Sequence, residues 1–378
     1  MTYLETIRTG LIVFPFLAAA FTLPYALSQY RRYGAVSKYR TLIVYTFMLY
    51  MLVIYFMVIL PLPERESVEA GHFMEHVNLI PLKQIWLYWK DKPLGFGTML
   101  GYLKSFSLWQ LLFNVLLTVP FGVYLRYYFR KDLKQTLLYS FLLSLFFELT
   151  QLSALYGIYP GPYRLADVED LICNSLGGLL GYQTASLFLK ILPDRDKIDA
   201  DTLIAGRTVT GRRRLLASIV DFAMSMVLFT FLQGVALILF HGGAEASGSA
   251  ASRVWSFFCV FCLVQVLLTR GYTLGHALCR LRLRSTDGKA ASAKQMIKRY
   301  GILWCFIELT SILSGVLRRG IPAMEDSWIP FFLVSVSDLY VFVYFLRELF
   351  GRQQKGMPHD KWSDTAYASC IGEEETKE

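Results

Sequence analysis

Long apolar runs separated by polar loops dominate the chain. Nine of these runs have about 20 mostly apolar residues each, the length at which an α-helix crosses a bilayer. They lie at about 11–30, 41–60, 107–128, 135–157, 168–191, 215–240, 253–270, 300–317 and 329–349. The runs are continuous rather than alternating, and irregular backbone cannot face lipid. The pattern therefore predicts an all-α, polytopic membrane protein with about nine transmembrane helices.

The composition agrees with a membrane class. The 378 residues are 54% hydrophobic and only 18% charged, whereas a soluble globular chain is about 25% charged. No small-residue cleavage site closely follows the first apolar run, so this run does not have the pattern of an ordinary signal peptide. We expect it to remain in the mature protein as an additional helix.

A polar segment divides the apolar runs into two groups. Residues 193–214 are charged and have no apolar period, with five runs before them and four after them. We therefore expect two bundles. The first membrane domain would be 1–192 and the second 213–370, with a cytoplasmic linker at 193–212 and an acidic tail at 371–378.

Lys and Arg are distributed unevenly between the two sets of loops that nine spans would create. Of the 38 basic residues, 28 fall in the set made of 31–40, 126–134, 190–214, 270–299 and the end of the chain from residue 347 onward. The positive-inside rule makes this set cytoplasmic, with the N-terminus outside and the C-terminus inside. The net charge of +9 mostly reflects this asymmetry, so it predicts contact with anionic membrane lipids and not with nucleic acid.

Polar side chains cluster where the fourth and fifth runs meet. The two groups are Glu148 with Gln151 on the fourth run, and Asp167, Asp170 and Asn174 on the fifth. Each group has the spacing of one helical face, and a short turn would bring the two faces together. Arg164 lies in that turn, where we expect it to act as a counter-ion for the carboxylates and to receive an anionic ligand.

Acids held within a membrane are costly, and they usually face a cavity or one another. We therefore expect an outward-facing polar pocket, to which the third run adds Asn114 and the loop 61–106 adds Asn78. The alternative is a set of polar groups that only clamps two helices together. Glu169 lies off the shared face, and we expect it to be solvated at the headgroup level.

These motifs together resemble the VanZ-like family. The segments NLIPL, FNVLLTVPFG and FELTQ precede the pattern R-x-x-D-x-x-D-x-x-x-N-x-x-G-x-x-x-G of 164–181, and the resemblance covers about 40–190. It implies a bacterial plasma-membrane protein, linked in some members to teicoplanin resistance, and it implies no settled biochemical activity. It places the family's motif positions on Asn78, Pro81, Asn114, Pro120, Gly122, Glu148, Gln151, Arg164, Asp167, Asp170 and Asn174.

The second half resembles the RDD family, named for one Arg and two Asp. RRRLLASIVD begins the sixth run, TLGHALCRLRLRSTDGKAAS resembles that family's cytoplasmic segment, and MPHDKWSDT follows the last run. The resemblance covers about 205–370 and assigns the motif to Arg214, Asp221 and Asp360. It implies a part in transport, without an established substrate. Glu308 and Asp338 are further acids within the eighth and ninth runs.

The sequence predicts neither a metal site nor a cofactor. Its five His residues lack metal-ligand spacing, and it contains no P-loop, G-x-S-x-G or dinucleotide fingerprint. Six Cys residues, most of them in or beside apolar runs, suggest no disulfide framework.

Three functions remain open at this point. The first is an envelope protein whose outward pocket engages a cell-wall precursor, a lipid-linked ligand or a glycopeptide-related ligand. The second is an enzyme acting on a lipid-linked precursor, with Glu148, Asp167 or Asp170 as acid or base. The third is a cation- or proton-coupled transporter that uses intramembrane acids from both halves. The sequence leaves the oligomeric state open.

Overall fold

The chain forms two compact units in the computed structural model. The structure describes residues 3–69, 76–81, 83–90, 95–188, 192–239, 250–320, 328–329, 339–340, 342–344, 346–347, 349 and 357–372. The first unit comprises Met1–Phe21 and Lys38–Ile198, and the second comprises Thr22–Ser37 and Asp199–Glu378.

Helices make up most of the first unit, which confirms the predicted all-α class. They are α1 (Tyr3–Tyr33, which continues into the second unit), α2 (Lys38–Ile59), α3 (Lys83–Trp89), α4 (Phe96–Leu103), α5 (Phe106–Tyr127), α6 (Leu133–Leu152), α7 (Ala154–Gly157) and α8 (Val168–Phe188). A short parallel pair, β1 (Val77–Asn78) and β2 (Ala166–Asp167), joins two loops.

The end of α6 differs from the sequence prediction. The fourth apolar run was expected to continue to residue 157, but α6 ends at Leu152. The short element α7 that follows is not a right-handed helix, because Ala154, Leu155 and Tyr156 all have positive φ angles of 53–61°. The chain therefore turns five residues early, and Ser153 accepts a hydrogen bond from the Tyr156 amide at this turn.

Helices α5 and α8 are packed with almost no space between their backbones. A Cβ atom added to Gly122 would lie 2.0 Å from the Gly178 carbonyl oxygen, and one added to Gly181 would lie 2.0 Å from that of Val119. Gly177 has the same relation to Val115, at 2.1 Å. Small residues allow close helix approach in membranes, so these glycines set the distance between the two helices.

The second unit is also mainly helical. Its elements are α9 (Arg195–Gly206, which begins in the first unit), α10 (Gly211–Leu239), α11 (Ala250–Thr269), α12 (Leu274–Leu278), β3 (Leu281–Ser285), α13 (Ala293–Gly320), α14 (Pro358–Trp362) and β4 (Thr365–Ser369). Helix α9 lies within 193–214, the segment in which the sequence shows no apolar period. Its side chains Ile198 and Thr202 are buried, which gives this polar segment one packed face.

Strands β3 and β4 form an antiparallel pair whose register runs from Leu281 opposite Ser369 to Ser285 opposite Thr365. Leu281 and Leu283 are fully buried, whereas the alternate residues of β3 are partly exposed. The strand therefore covers the core of the second unit with its leucine face.

Four helical segments of the described chain are long and apolar enough to cross a membrane. They are Leu4–Tyr33, Lys38–Ile59, Phe106–Tyr127 and Gly211–Ala236. This finding supports a multi-pass membrane protein, while the number of nine crossings stays a prediction. Most of the ninth run, 329–349, lies outside the described residues, as do Asp338 and the Glu308 side chain.

The α5–α8 contact generates a stability prediction. Gly181→Ala places a methyl group against the Val119 carbonyl, so we expect it to destabilise the first unit by about 1–3 kcal/mol. Gly234→Ala makes the same change within α10, where nothing lies within 4 Å of the added atom, and should be neutral or slightly stabilising. Thermal unfolding in detergent compares the two variants. Equal melting temperatures would contradict the packing argument.

Candidate functional site

The polar residues predicted on the fourth and fifth runs lie around one cavity in the first unit. This polar cavity has a volume of about 770 Å³. Its polar lining includes Gln110, Asn114, Glu148, Gln151, Arg164, Asp167, Glu169, Asp170 and Asn174. Every predicted residue of the first half is therefore in its wall except Asn78, which contacts the wall through Asp167.

Asp167 connects three segments of the chain. The β1–β2 pairing places Asn78 opposite Asp167, and the Asn78 amide donates to Asp167 Oδ2 at 2.9 Å. Asp167 Oδ1 accepts from the Glu169 amide at 2.9 Å, which caps the N-terminus of α8. The Asp167 backbone amide donates to Glu148 Oε2 of α6, also at 2.9 Å. Both carboxylate oxygens of Asp167 are thus occupied.

Asp170 and Asn174 extend the network toward α5 and α6. Asn114 of α5 donates to Asp170 Oδ1. The Asn174 amide donates to Ser144 Oγ at 2.9 Å, and Thr118 Oγ1 donates to the Asn174 carbonyl oxygen at 2.8 Å. Asn174 Oδ1 is buried, and no partner meets it within the described structure.

Arg164 was predicted to be a counter-ion for the carboxylates, and in the structure its hydrogen bonds go to backbone carbonyls instead. Its guanidinium donates to the carbonyl oxygens of Val58 at 2.6 Å and Leu60 at 3.0 Å, and Gln151 donates to the same Val58 oxygen. These carbonyls lie at the C-terminal end of α2, where the helix leaves acceptors unsatisfied and favours a cation. In the described part of the chain, no ion pair joins Arg164 to a carboxylate.

The prediction for Glu169 also needs correction. Its side chain was expected to be solvated, but the residue is only 3% exposed. Its Oε1 atom is buried and meets no partner among the described residues. The pKa of the Tyr102 hydroxyl, in α4, is raised by burial and then by the Glu169 charge. The Glu169 carboxylate therefore lies near α4. The spacing of residues along α8 alone could not predict this burial.

The sequence analysis identified Glu148 and Gln151 but missed the rest of a polar stripe on α6. Thr136, Ser140, Ser144, Glu148 and Gln151 are all buried and repeat every three or four residues. This spacing places them on one helical face. The regular period of small hydroxyl residues within an apolar run was the available signal. It would have identified Ser144 as the partner of Asn174.

The acids of the RDD-like motif in the second unit are held by hydrogen bonds. Asp221 of α10 accepts one hydrogen bond from Thr273 Oγ1 and one from the Gly275 amide, the latter at 2.7 Å. Gly275 permits this approach, because an added Cβ would lie 2.1 Å from the Ala217 carbonyl oxygen. Asp221 therefore anchors the start of α12 against α10.

Arg214 is not the nearest partner of Asp360. Its Nη1 lies 4.0 Å from Asp360 Oδ2, whereas Arg299 of α13 forms a close ion pair with Oδ1. Burial acts to raise the pKa of the Asp360 carboxyl. The Arg299 charge, and to a lesser extent His359, outweigh this effect and lower that pKa to about 2. Sequence analysis missed Arg299, because the only signal was an Arg near the start of an apolar run.

Arg213 was also missed, although it is fully buried. Its guanidinium donates to the carbonyl oxygens of Gly206, Cys279 and Arg280, each at 2.7 Å, and to Ser369 Oγ at 3.1 Å. It thereby ties α9, β4 and the segment before β3 to the start of α10. Within RRR, residues 212–214, composition alone does not distinguish this residue from its neighbours.

The buried histidines of the second unit predict an acid-sensitive fold. Burial, then the Arg299 charge, lower the pKa of both His276 and His359 to about 3. Unfolding returns each pKa to about 6.5, so below that pH the unfolded chain binds protons that the folded chain does not. Stability should therefore fall as pH decreases from about 6.5, by up to about 1.4 kcal/mol per pH unit for each histidine.

The measurement is the melting temperature of the second unit between pH 8 and pH 4, followed through Trp255 fluorescence after the other Trp residues are replaced by Phe. His359→Gln should flatten the decline below pH 6.5 and leave the region above it unchanged. A profile with no slope between pH 6.5 and 4 would show that the histidines are protonated in the folded protein.

Comparison with known proteins agrees with the two resemblances. Residues 47–189 match the family model described as VanZ/LLP1, and residues 208–364 match the one described as RDD family. Both matches lie within the ranges predicted from the motifs, so the resemblance to a fusion of these families is confirmed. No curated protein and no solved structure matches the chain.

Proposed function

Because the chain joins a VanZ-like region to an RDD-family region, we propose that it is a bacterial envelope protein whose polar cavity binds a cell-wall or lipid-linked ligand. Binding would modify susceptibility to glycopeptides such as teicoplanin. The observation that carries this proposal is the group of four carboxylates, of Glu148, Asp167, Glu169 and Asp170, in the wall of one membrane cavity. Such costly groups are typically retained in membranes for function.

The electrostatics favour a ligand that donates hydrogen bonds. The guanidinium of Arg164, the one basic group of the described cavity wall, is directed to backbone carbonyls. Glu148 and Asp170 each use one carboxylate oxygen within the network, through Asp167 and Asn114 respectively. The second oxygens remain available as acceptors. Amine or sugar hydroxyl groups therefore suit this cavity better than the phosphate that we expected from the sequence.

The cavity also has an apolar side that suits a lipid-linked ligand. Phe106, Trp109, Leu112 and Leu116 of α5 line it and are exposed. A polar group could contact the carboxylates while an attached acyl or isoprenoid chain lies along these side chains. This combination supports a membrane-anchored ligand over a small water-soluble one.

The transport alternative receives less support from the second unit. Asp221 accepts two hydrogen bonds and Asp360 is paired with Arg299, so both acids have fixed structural partners. A proton or cation carrier needs a carboxylate that can exchange partners. The enzyme alternative uses the same polar cavity, and analysis of the bound ligand would distinguish turnover from binding.

The local strand pairs support an even number of membrane crossings between the segments that they join. Strands β1 and β2 require the loops around 77 and 166 to lie on one side of the membrane, and two predicted spans separate them. Strands β3 and β4 likewise require residues 281–285 and 365–369 to lie on one side of the membrane, and two predicted spans separate these segments as well. Both pairings fit this number of crossings in either orientation of the chain, so the proposed orientation rests on the distribution of Lys and Arg.

Charge removal in the polar cavity tests the functional proposal. Glu148→Gln and Asp170→Asn keep side-chain volume, so the protein should remain in the membrane while teicoplanin susceptibility returns to that of a host without the gene. Asp287→Asn, at an exposed turn, is the matched control and should keep the wild-type phenotype. The comparison is made at equal protein level, together with analysis of lipid-linked precursors.

Wild-type susceptibility in both cavity variants would reject the proposal. Loss of the protein from the membrane would instead support a helix clamp. If Asp221→Asn alone abolished the phenotype while the cavity variants kept it, the function would reside in the second unit.

Cysteine labelling tests the orientation. In a variant whose native Cys residues are replaced by Ser, Pro160→Cys should react with a membrane-impermeant maleimide in intact cells. Arg207→Cys should react only after the cells are opened. Labelling of both positions in intact cells would overturn the orientation and with it the outward-facing cavity.

A further inference from the structure

A second cavity lies within the second unit and is distinct from the proposed site. It has a volume of about 230 Å³, and aromatic side chains form most of its wall. Trp255 packs against Phe222 at 4.9 Å and against Phe258 at 5.8 Å between ring centroids. Tyr300 and Tyr367 also line the cavity. We call it the aromatic cavity.

One hydrogen-bond donor of this cavity comes from His276. The Thr273 backbone amide donates to His276 Nδ1 at 3.2 Å, so Nδ1 carries no proton. Because burial lowers the pKa of His276 to about 3, the ring is neutral and its proton lies on Nε2. No acceptor in the described part of the chain meets Nε2, although the residue is only 3% exposed.

Tyr300 provides a second donor. The residue is 6% exposed and lines the cavity, and its hydroxyl has no hydrogen-bond partner among the described residues. Asp221 also lines the cavity, but both of its oxygens are occupied by Thr273 and Gly275. Buried donors without acceptors are costly, so these two groups point to a ligand that supplies acceptor oxygens.

The charged groups near the cavity are already paired. Arg299 binds Asp360 and donates to the Tyr367 hydroxyl at 3.0 Å. This pairing removes the attraction that an unpaired guanidinium would offer to an anion. The cavity therefore combines flat apolar walls with neutral donors, which suits an uncharged aromatic or quinonoid ring better than an ion.

We propose that the aromatic cavity binds a flat, uncharged ring that carries carbonyl oxygens, of the quinone class, with His276 Nε2 and the Tyr300 hydroxyl donating to those oxygens. A cavity of about 150 Å³ holds benzene, so the larger volume here leaves room for a second ring or for substituents. Such rings partition into membranes, and α10, which lines the cavity, is long and apolar enough to cross one.

Binding to the full chain in lipid nanodiscs tests this proposal. The probe is 2-methyl-1,4-naphthoquinone, measured by equilibrium dialysis with empty nanodiscs as the reference. We expect saturable binding of one molecule per chain. Tyr300→Phe removes one donor and keeps the ring, so it should weaken binding about fivefold to tenfold. Tyr272→Phe makes the same change outside the cavity and should leave the affinity unchanged.

Two further measurements separate the hydrogen bonds from the cavity itself. The probe 2-methylnaphthalene lacks carbonyl oxygens, so Tyr300→Phe should not change its affinity. Ser218→Phe places a ring inside the cavity and should abolish binding of both probes. Each variant is first shown to match the wild type in thermal unfolding and in elution volume. If Tyr300→Phe fails to fold, Ser218→Phe still tests whether the ring binds in the aromatic cavity.

Three results would overturn the proposal. The first is an absence of saturable quinone binding above that of empty nanodiscs. The second is an unchanged affinity in Tyr300→Phe or an equal loss in Tyr272→Phe. The third is undiminished binding in Ser218→Phe, which would place the ring elsewhere on the protein.

Discussion

The polar cavity depends on one residue, Asp167, and on the rule that a buried polar group needs a partner. Its two carboxylate oxygens and its backbone amide connect β1, α8 and α6. If the three segments moved apart, Asn78 and Glu148 would be left buried without these partners, and unpaired buried polar groups are costly. The glycine contacts hold α5 against α8 and bring Asn114 within reach of Asp170.

This arrangement explains why the cavity contains acceptors that its own network does not use. A carboxylate has two oxygens, and geometry lets each neighbouring amide reach only one oxygen of Glu148 and of Asp170. The four acids have no Arg or Lys paired with them among the described residues, since the guanidinium of Arg164 completes the end of α2. The cavity is consequently rich in acceptors and poor in donors.

The sequence predicted the helices and most of the cavity residues, because apolar length and helical spacing are local properties. It did not find the hydrogen-bond partners of Arg164, because the carbonyls of Val58 and Leu60 are more than 100 residues away in the chain. The strand β3 was also missed, although Leu281 and Leu283 alternate with Arg282 and Arg284 in the two-residue period of a strand. Five residues were too few to stand out beside apolar runs of about 20 residues.

The two units carry opposite hydrogen-bonding character at their cavities. In the first unit, the unused atoms are the acceptors of Glu148, Glu169, Asp170 and Asn174, so a ligand there must donate. In the second unit, the acids Asp221 and Asp360 are occupied, and the unused groups are the donors of His276 and Tyr300. A single polar ligand cannot satisfy both cavities equally well. A ligand that donates hydrogen bonds would leave the donors of the second unit unpaired, and a ligand that accepts them would leave the acceptors of the first unit unpaired. The unused hydrogen-bonding groups therefore favour two different ligands, one for each unit, over a single substrate that binds to both.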